Sequence, residues 1–300
     1  MMDEREALKR RVANFYVETP KVQQVLKEMK ACQLHHQYAD EFASQMSLCI
    51  LGEPGVGKTS ILTRFCKRPE YRPHTAKFVD KFNNEKEVDV VPALFVVTPS
   101  KFTVKALYTT ILANLGAIIP GKPTTNENEV RVTYLLKEQK VEVLVLDEVQ
   151  SIMHSKHDDP NEALDAIKNI TNNAHISLIL CGKTEIEPAI KKDMQFNRRY
   201  PIHKLEKYKE CNGEFIALLK DIELQINAPF PLDLTDIGSN RPQLLFGMCE
   251  GLIGLLAPLI RRTFDVMGLY DDVPFSEMKV TNETIVAAYN SRNGKSFETE

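Results

Sequence analysis

A chain of 300 residues can form one large α/β domain and a second, smaller domain. Its net charge of −3 shows that basic residues do not dominate its surface. Any nucleic-acid binding must therefore use a local patch. The longest apolar run, residues 251–260, contains Pro258 and is too short to span a bilayer, and no signal peptide is visible, so we expect a cytoplasmic protein. The scattered cysteines, without a C-x-x-C pair, favour buried, reduced thiols over disulfides or a zinc site.

The first 46 residues are expected to form a helical segment. Residues 1–19 are charged, and apolar residues recur at helical spacing from Pro20 to Ala31. A second helix is predicted from about His36 to Gln45. The pair His35 and His36 has no further ligand cluster nearby, which favours a surface position over a metal site.

The strongest pattern in the chain follows an apolar run at residues 48–51. It reads G-x-x-x-x-G-K-[ST], the Walker A pattern. It comprises Gly52, Glu53, Pro54, Gly55, Val56, Gly57, Lys58, Thr59 and Ser60. With the amphipathic residues 61–65 after it, this arrangement predicts a strand, a phosphate-binding loop and a helix. Its glycines let backbone N–H groups converge on phosphates, Lys58 can reach the outer phosphates, and the Thr59 hydroxyl is placed to ligate Mg²⁺.

The segment after this helix is rich in charge and turn-forming residues. We interpret residues 69–89 as an exposed insertion and residues 90–97 as the second strand, where Pro92 favours an end or edge position. Helices are predicted at residues 103–115 and at about residues 128–139.

A second diagnostic run, residues 141–146, is almost entirely apolar and ends in Asp147 and Glu148. Such a run predicts a strand covered on both faces, as in a parallel sheet. At the carboxyl end of a strand beside the phosphate-binding loop, Asp147 can hold Mg²⁺, and Glu148 can orient or deprotonate the attacking water. These residues form the predicted Walker B motif.

Two later sites are predicted with alternatives. Thr184, after the strand at residues 176–182, is a candidate for sensing the γ-phosphate, and it can also cap the helix that follows. Arg198 and Arg199 are candidates for an arginine finger or a pair of surface charges. The polar residues 154–159, which include His154 and His157, favour a solvated connection over a metal site.

These elements predict an α/β fold, with a parallel sheet flanked by helices at residues 47–206 and a small all-helical lid domain at residues 207–300. Walker A, Walker B, a polar strand end, paired arginines and a helical C-terminal region together resemble the AAA+ ATPases. Four short sequence motifs are similar to those of the TniB/TnsC family of transposition regulators. They are residues 144–150, 178–184, 193–199 and 250–254. The resemblance spans about residues 20–289.

This resemblance implies an ATP- and Mg²⁺-dependent protein of the bacterial cytoplasm that assembles head to tail on duplex DNA as a ring or filament. It implies a DDE transposase of the TniA/TnsB type and a TniQ-type target selector as partners. Arg198 or Arg199 would reach the neighbouring subunit's γ-phosphate, and Arg199 aligns with the family's arginine. DNA contacts are implied at Lys101 and, with less support, at Lys105, Lys122 and Thr124; the alternative is that these are ordinary surface residues, which the sequence favours more for the last three than for Lys101.

One departure from the family concerns the second sensor, where relatives often carry an arginine and this chain has Leu255. The nearby basic residues are Arg241, Arg261 and Arg262. Slow hydrolysis, suited to a switch, is the expectation that follows. The alternatives are a helicase loader or initiator ATPase, a STAND-like signalling switch without DNA binding and, least favoured, a small-molecule kinase.

Overall fold

The computed structural model describes residues 4–40, 43–79, 83–119, 121–156, 158–192, 194–271 and 273–292. The chain forms two compact units. The sheet unit comprises residues 21–53 and 58–205, and the helical unit comprises residues 1–20, 54–57 and 206–300. Residues 1–46, which the sequence suggested as one segment, are thus shared between the two units.

The helices and strands of the described residues follow in chain order. They are α1 (Glu4–Asn14), α2 (Pro20–Tyr38), β1 (Leu48–Gly52), α3 (Lys58–Cys66), β2 (His74–Val79), β3 (Glu85–Val90), β4 (Ala93–Val97), α4 (Val104–Asn114), α5 (Thr125–Glu138), β5 (Val143–Asp147), α6 (Pro160–Ala174), β6 (Ser177–Gly182), α7 (Glu187–Lys192), α8 (Met194–Arg199), β7 (Ile202–Leu205), α9 (Gly213–Ile226), α10 (Arg241–Cys249), α11 (Ile253–Val266) and α12 (Asn282–Arg292). Short 3-10 turns lie at Pro69–Tyr71, Val149–His154 and Thr184–Ile186.

The sheet unit is built on a five-stranded parallel sheet in the order β4-β5-β6-β1-β7. Every residue of β1, β5 and β6 is buried, as expected for strands covered on both faces. Alternate strand residues such as Leu144 and Leu178 share a core with apolar residues of α4, α5 and α6. The predicted parallel sheet flanked by helices is confirmed, and it brings the carboxyl ends of β1, β5 and β6 to one edge.

Proline decides where the edge strand begins. The sequence suggested one strand over residues 90–97, but β4 begins at Ala93 because Pro92 has no N–H to donate to a neighbouring strand. Val90 instead ends β3, which pairs with β2 in an antiparallel hairpin. The insertion is therefore a largely exposed two-stranded sheet, and β4 is an edge strand, as the proline predicted.

Helix α2 is a single helix, so the predicted second helix at residues 36–45 is wrong: α2 ends at Tyr38, and the described residues 43–45 are not helical. It lies near the amino ends of two strands. The Gln33 side chain donates to the Glu142 carboxylate, and the Ser177 hydroxyl donates to the Cys32 carbonyl at 2.9 Å. These bonds attach α2 to the sheet unit.

The helical unit has its own core. Leu8 and Val12 of α1 are fully buried with residues of the C-terminal helices such as Phe215 and Leu256. Arg11 adds a hydrogen bond of 2.7 Å from its Nε to the carbonyl of Ile226. Helix α1 therefore packs with the C-terminal helices.

The cysteines are free thiols, as predicted, and most of them are buried. Burial raises the pKa of the Cys66 thiol to about 12, so it stays protonated at neutral pH. Among the described helices, none combines the length and apolar character that crossing a membrane requires.

Candidate nucleotide-binding site

The predicted phosphate-binding loop joins β1 to α3. Gly55 and Gly57 have φ angles of +85° and +96°, a region that residues with a Cβ rarely adopt. The loop ends where α3 begins at Lys58, so the positive end of that helix faces the loop. The strand, turn and helix inferred from the sequence are present at these residues.

The Lys58 side chain is buried inside this loop. Its Nζ donates to the carbonyl oxygens of Gly52 at 2.8 Å and Glu53 at 2.9 Å. An ammonium has three N–H donors, and these bonds engage two of them. The loop therefore holds a positive charge beside the backbone N–H groups that would meet phosphate.

The Walker A and Walker B motifs meet through their oxygen atoms. The Thr59 hydroxyl donates to Oδ2 of Asp147 at 2.7 Å, and Oδ1 of Asp147 accepts from the N–H of Glu148 at 2.9 Å. Hydroxyl and carboxylate oxygens are the protein ligands that suit Mg²⁺. Thr59 and Asp147 therefore fit a Mg²⁺–nucleotide, and the buried carboxylate of Asp147 supplies the charge.

The buried thiol of Cys181 is a close neighbour of Asp147. Burial and the neighbouring Asp147 carboxylate raise the pKa of Cys181 well above its ordinary value. A protonated thiol adds no negative charge at the position where Mg²⁺ would bind. The candidate Mg²⁺ ligands at this site are therefore the oxygen atoms of Thr59 and Asp147.

Glu148 leaves the end of β5 with a left-handed backbone, at φ +59° and ψ +33°. Its side chain is partly exposed and accepts a short hydrogen bond from Nε2 of Gln150. The sequence analysis assigned no role to Gln150. The available signal was an amide two residues after the Walker B glutamate, which a turn can bring back to the carboxylate.

An open pocket of about 540 Å³ lies beside Glu148, between the ends of β4 and β5. Thr98 and Ser151 line it, and their buried hydroxyls have no hydrogen-bond partner within the part of the chain that the structure describes. The volume exceeds that of several water molecules, each of which occupies about 30 Å³ in the liquid. Water can therefore reach the Glu148 carboxylate from this side.

Thr184 is exposed at the start of its 3-10 turn, and the capping position belongs to Lys183. The expectation that Thr184 caps this helix is therefore wrong, because the turn begins one residue earlier. Its role as a sensor of the γ-phosphate stays a prediction. The neighbouring Lys183 N–H donates to Oε1 of Gln150 at 3.0 Å.

The paired arginines lie at the end of α8, and both are exposed. Arg199 donates from Nη1 to Oδ1 of Asn172 at 2.9 Å. The family-like motif at residues 193–199 begins with Asp193, which lies outside the described residues. Exposure leaves Arg198 and Arg199 available to a neighbouring subunit, and their role in trans stays a prediction.

The residues implied for DNA contact lie in two places on the sheet unit. Lys101 and Lys105 are exposed just before and within the first turn of α4, and Lys122 is exposed before α5. Thr124 has a structural task, because its side chain and that of Glu127 form a capping box at the start of α5. DNA binding by these residues stays a prediction.

The arginines nearest the second-sensor position make internal contacts in the helical unit. Arg241 is buried and donates to the Asp233 carbonyl at 2.7 Å. Arg261 lies over the Phe15 ring at 4.8 Å, and Arg262 donates to Ser291. These bonds assign a structural role to each of the three arginines.

Residues 250–254 include two glycines at positions where a Cβ would contact backbone atoms too closely. Gly251 has φ +74°, and a Cβ there would lie 2.0 Å from the carbonyl oxygen of Tyr208. Within the helical unit, Gly254 donates its N–H to the carbonyl of Gly55 at 2.7 Å, and a Cβ on Gly254 would lie 2.7 Å from that oxygen. The backbone of residue 254 therefore approaches Gly55 as closely as only glycine allows.

The histidine-rich connection shows no metal centre: in the described ranges, no group of three or more His, Cys, Asp or Glu side chains could hold a metal ion. His154 lies 3.5 Å from Glu185, and His157 is outside the described residues. The sequence prediction of a solvated connection therefore concerns a segment that the structure covers only in part.

Solved structures with a similar fold are archaeal AAA+ ATPases of the Orc1/Cdc6 type. They include the Aeropyrum pernix ORC1 protein in complex with DNA, with a TM-score of 0.59 and 15% identity over 90% of this chain and 65% of that one. The ORC2 protein of the same organism, in ADPNP-ADP complexes, gives 0.59 and 14% over 96% and 73%. Cdc6p from Pyrobaculum aerophilum gives 0.54 and 14% over 87% and 65%.

At these identities the structures show the fold alone, and they confirm the predicted AAA+ architecture. The chain spans less than two thirds of the length of the ORC1 and Cdc6p chains. No curated protein matches the sequence. A family model described as bacterial TniB protein matches residues 8–210, which is more than half of the chain. With its AAA+ fold and assembled Walker motifs, the chain belongs to the TniB family.

Proposed function

We propose that this protein is an ATP-dependent DNA-binding regulator of DNA transposition. It oligomerises head to tail on duplex DNA and links a TniQ-type target selector to a DDE transposase of the TniA/TnsB type. ATP hydrolysis drives disassembly. The observation that carries the proposal is the Thr59–Asp147 hydrogen bond of 2.7 Å, which unites Walker A and Walker B in a TniB-family chain.

The proposed ATPase chemistry assigns one task to each residue of the site. Lys58 and the loop N–H groups bind phosphate, Thr59 and Asp147 hold Mg²⁺, and Glu148 accepts a proton from the attacking water. Bound Mg²⁺ supplies charge neutralisation at the phosphates. The protein's own contribution is the fixed placement of these groups, and slow turnover agrees with Leu255 at the second-sensor position.

The DNA-binding part of the proposal predicts affinity that depends on ATP and salt. With a slowly hydrolysed ATP analogue, fluorescent duplex DNA should bind and be decorated with rings or filaments visible by negative-stain electron microscopy; with ADP it should be bare. Affinity should fall steeply with salt, because each neutralised phosphate contributes about −0.9 to the slope of log K against log salt. The K101A variant should reduce the magnitude of that slope by about one, because one phosphate per subunit would no longer be neutralised.

The exposed Lys67 provides a matched control, since the K67A variant should keep the slope of the wild type. DNA affinity that ignores both nucleotide and salt would contradict the proposal. The likeness to an ORC1 protein in complex with DNA supports testing duplex DNA first.

The arginine finger predicts an effect that crosses between subunits. R199A should lower hydrolysis about 10³-fold or more while nucleotide binding persists, because a finger stabilises charge that develops only in the transition state. Adding R199A protein to E148Q protein should restore part of the activity, since a mixed interface combines an intact Glu148 with an intact Arg199. R198A serves as the comparison, and restored activity only with R198A would move the role to Arg198.

The Orc1/Cdc6-type fold favours a second candidate, a helicase loader or initiator ATPase. The two functions differ in the partner that the ATP-bound protein recruits to DNA. Retention of a DDE transposase on the DNA-bound protein supports regulation of transposition, whereas retention of a replicative helicase supports the second candidate. Failure to bind DNA with either nucleotide would favour a signalling switch.

A further inference from the structure

The side chain of Gln150 connects two strand ends at the candidate site. It is 5% exposed and lies in the 3-10 turn Val149–His154. Its Nε2 donates to the Glu148 carboxylate, and its Oε1 accepts from the Lys183 N–H at 3.0 Å. A carboxylate can only accept and a backbone N–H can only donate, so these partners fix which end of the amide faces each group.

Space for this amide comes from a glycine at the end of β6. A Cβ on Gly182 would lie 2.7 Å from Oε1 of Gln150 and 2.9 Å from Cγ2 of Val149. Real Cβ atoms do not approach neighbours so closely, so the absence of a side chain at residue 182 gives the Gln150 amide its place. The strand end and the amide fit each other.

Glu148 benefits from such a partner because its backbone directs the side chain out of the strand. It is a non-glycine residue in the left-handed region, and its carboxylate lines the pocket that also contains the Thr98 and Ser151 hydroxyls. A glutamate side chain has several freely rotating torsions, and a hydrogen bond from a buried amide restricts them. One oxygen of the carboxylate is thereby held towards Gln150.

We propose that Gln150 is a positioning residue that orients the Glu148 carboxylate and ties it to the carboxyl end of β6. The inference rests on the proposed ATPase function, in which Glu148 accepts a proton from water. Gln150 lines the same pocket as Glu148, and in this proposal it acts on the reaction only through Glu148. Because its other end is bound to Lys183, a shift of the Thr184 segment moves Glu148 as well.

Two substitutions separate positioning from a structural role. Q150M keeps the approximate volume and removes both hydrogen bonds, so kcat should fall about 10- to 100-fold with KM for ATP unchanged. Q150E keeps an oxygen for the Lys183 N–H and places negative charge against Glu148. The new carboxylate cannot donate a hydrogen bond to Glu148, so kcat should fall as in Q150M while KM for ATP stays unchanged.

Gln139 supplies matched controls, because its Nε2 donates to the Leu115 carbonyl at 2.8 Å in the same unit, and it precedes the amino end of β5 whereas Walker B lies at the carboxyl end. Q139M and Q139E should lower stability without changing kcat or KM for ATP. Thermal melting of every variant identifies those that fail to fold. If Q150M does not fold, the kcat and KM of Q150E decide.

The outcomes separate the role of Gln150 from the proposed ATPase function. An active wild type whose Q150M and Q150E variants keep its kcat would overturn the role of Gln150 and leave the proposed function standing. A wild-type protein that hydrolyses no ATP, in the presence or absence of DNA, would overturn both. A lowered kcat with unchanged KM for ATP in Q150E, with Q139E unchanged, supports positioning.

Discussion

Replacing Glu148 by glutamine should greatly slow turnover and leave nucleotide binding intact. The amide oxygen that E148Q introduces can still accept the hydrogen bond from Gln150 Nε2, so the side chain keeps its place. It can no longer take a proton, and loss of a positioned general base lowers rates about 10²- to 10⁴-fold. Single-turnover hydrolysis of radiolabelled ATP measures the rate, and titration with a fluorescent nucleotide measures affinity.

The E148Q variant also tests the link between hydrolysis and assembly in the proposed function. A DNA-bound assembly formed with ATP should persist in E148Q and decay in the wild type. Glu162, exposed in the first turn of α6, provides the matched control E162Q, which should behave as the wild type. Hydrolysis by E148Q at the wild-type rate would remove Glu148 from the role of base.

The motifs that the sequence predicted best are those in which chemistry and local structure require the same residues. The loop at residues 52–60 needs glycines for its positive φ angles and a lysine for phosphate, so few other structures fit that pattern. The apolar run that ends in Asp147 follows the same logic, because a strand buried on both faces is composed mainly of apolar residues up to its end.

The features that sequence reasoning missed depend on tertiary contacts. Gln150 gains its partners only because Gly182, 32 positions along the chain, leaves room for its amide. The pairing of α1 with the C-terminal helices is equally non-local, since Leu8 contributes to a core most of whose members lie beyond residue 207. The hairpin β2–β3 was hidden because its charged residues lack the apolar alternation that identifies a strand.

Replacing Lys58 by methionine should strongly weaken nucleotide binding. Methionine keeps most of the apolar stem and removes the ammonium that Gly52 and Glu53 hold inside the loop. Truncating one partner of a buried charge pair costs about 2–5 kcal/mol, which weakens affinity about 30-fold or more. Isothermal titration with ATP and Mg²⁺ measures the loss, and K67M, altered just beyond the end of the same helix, is the matched control.

The same substitution tests the resting contacts of the loop. In K58M the Gly52 carbonyl loses its donor, and an unsatisfied buried acceptor costs about 1–3 kcal/mol, so chemical denaturation without nucleotide should show a less stable protein. The wild type should gain stability with ATP and Mg²⁺, and K58M should not. Unchanged ATP affinity in a folded K58M would mean that phosphate is bound without the lysine, and the Walker A interpretation would then fail at its central residue.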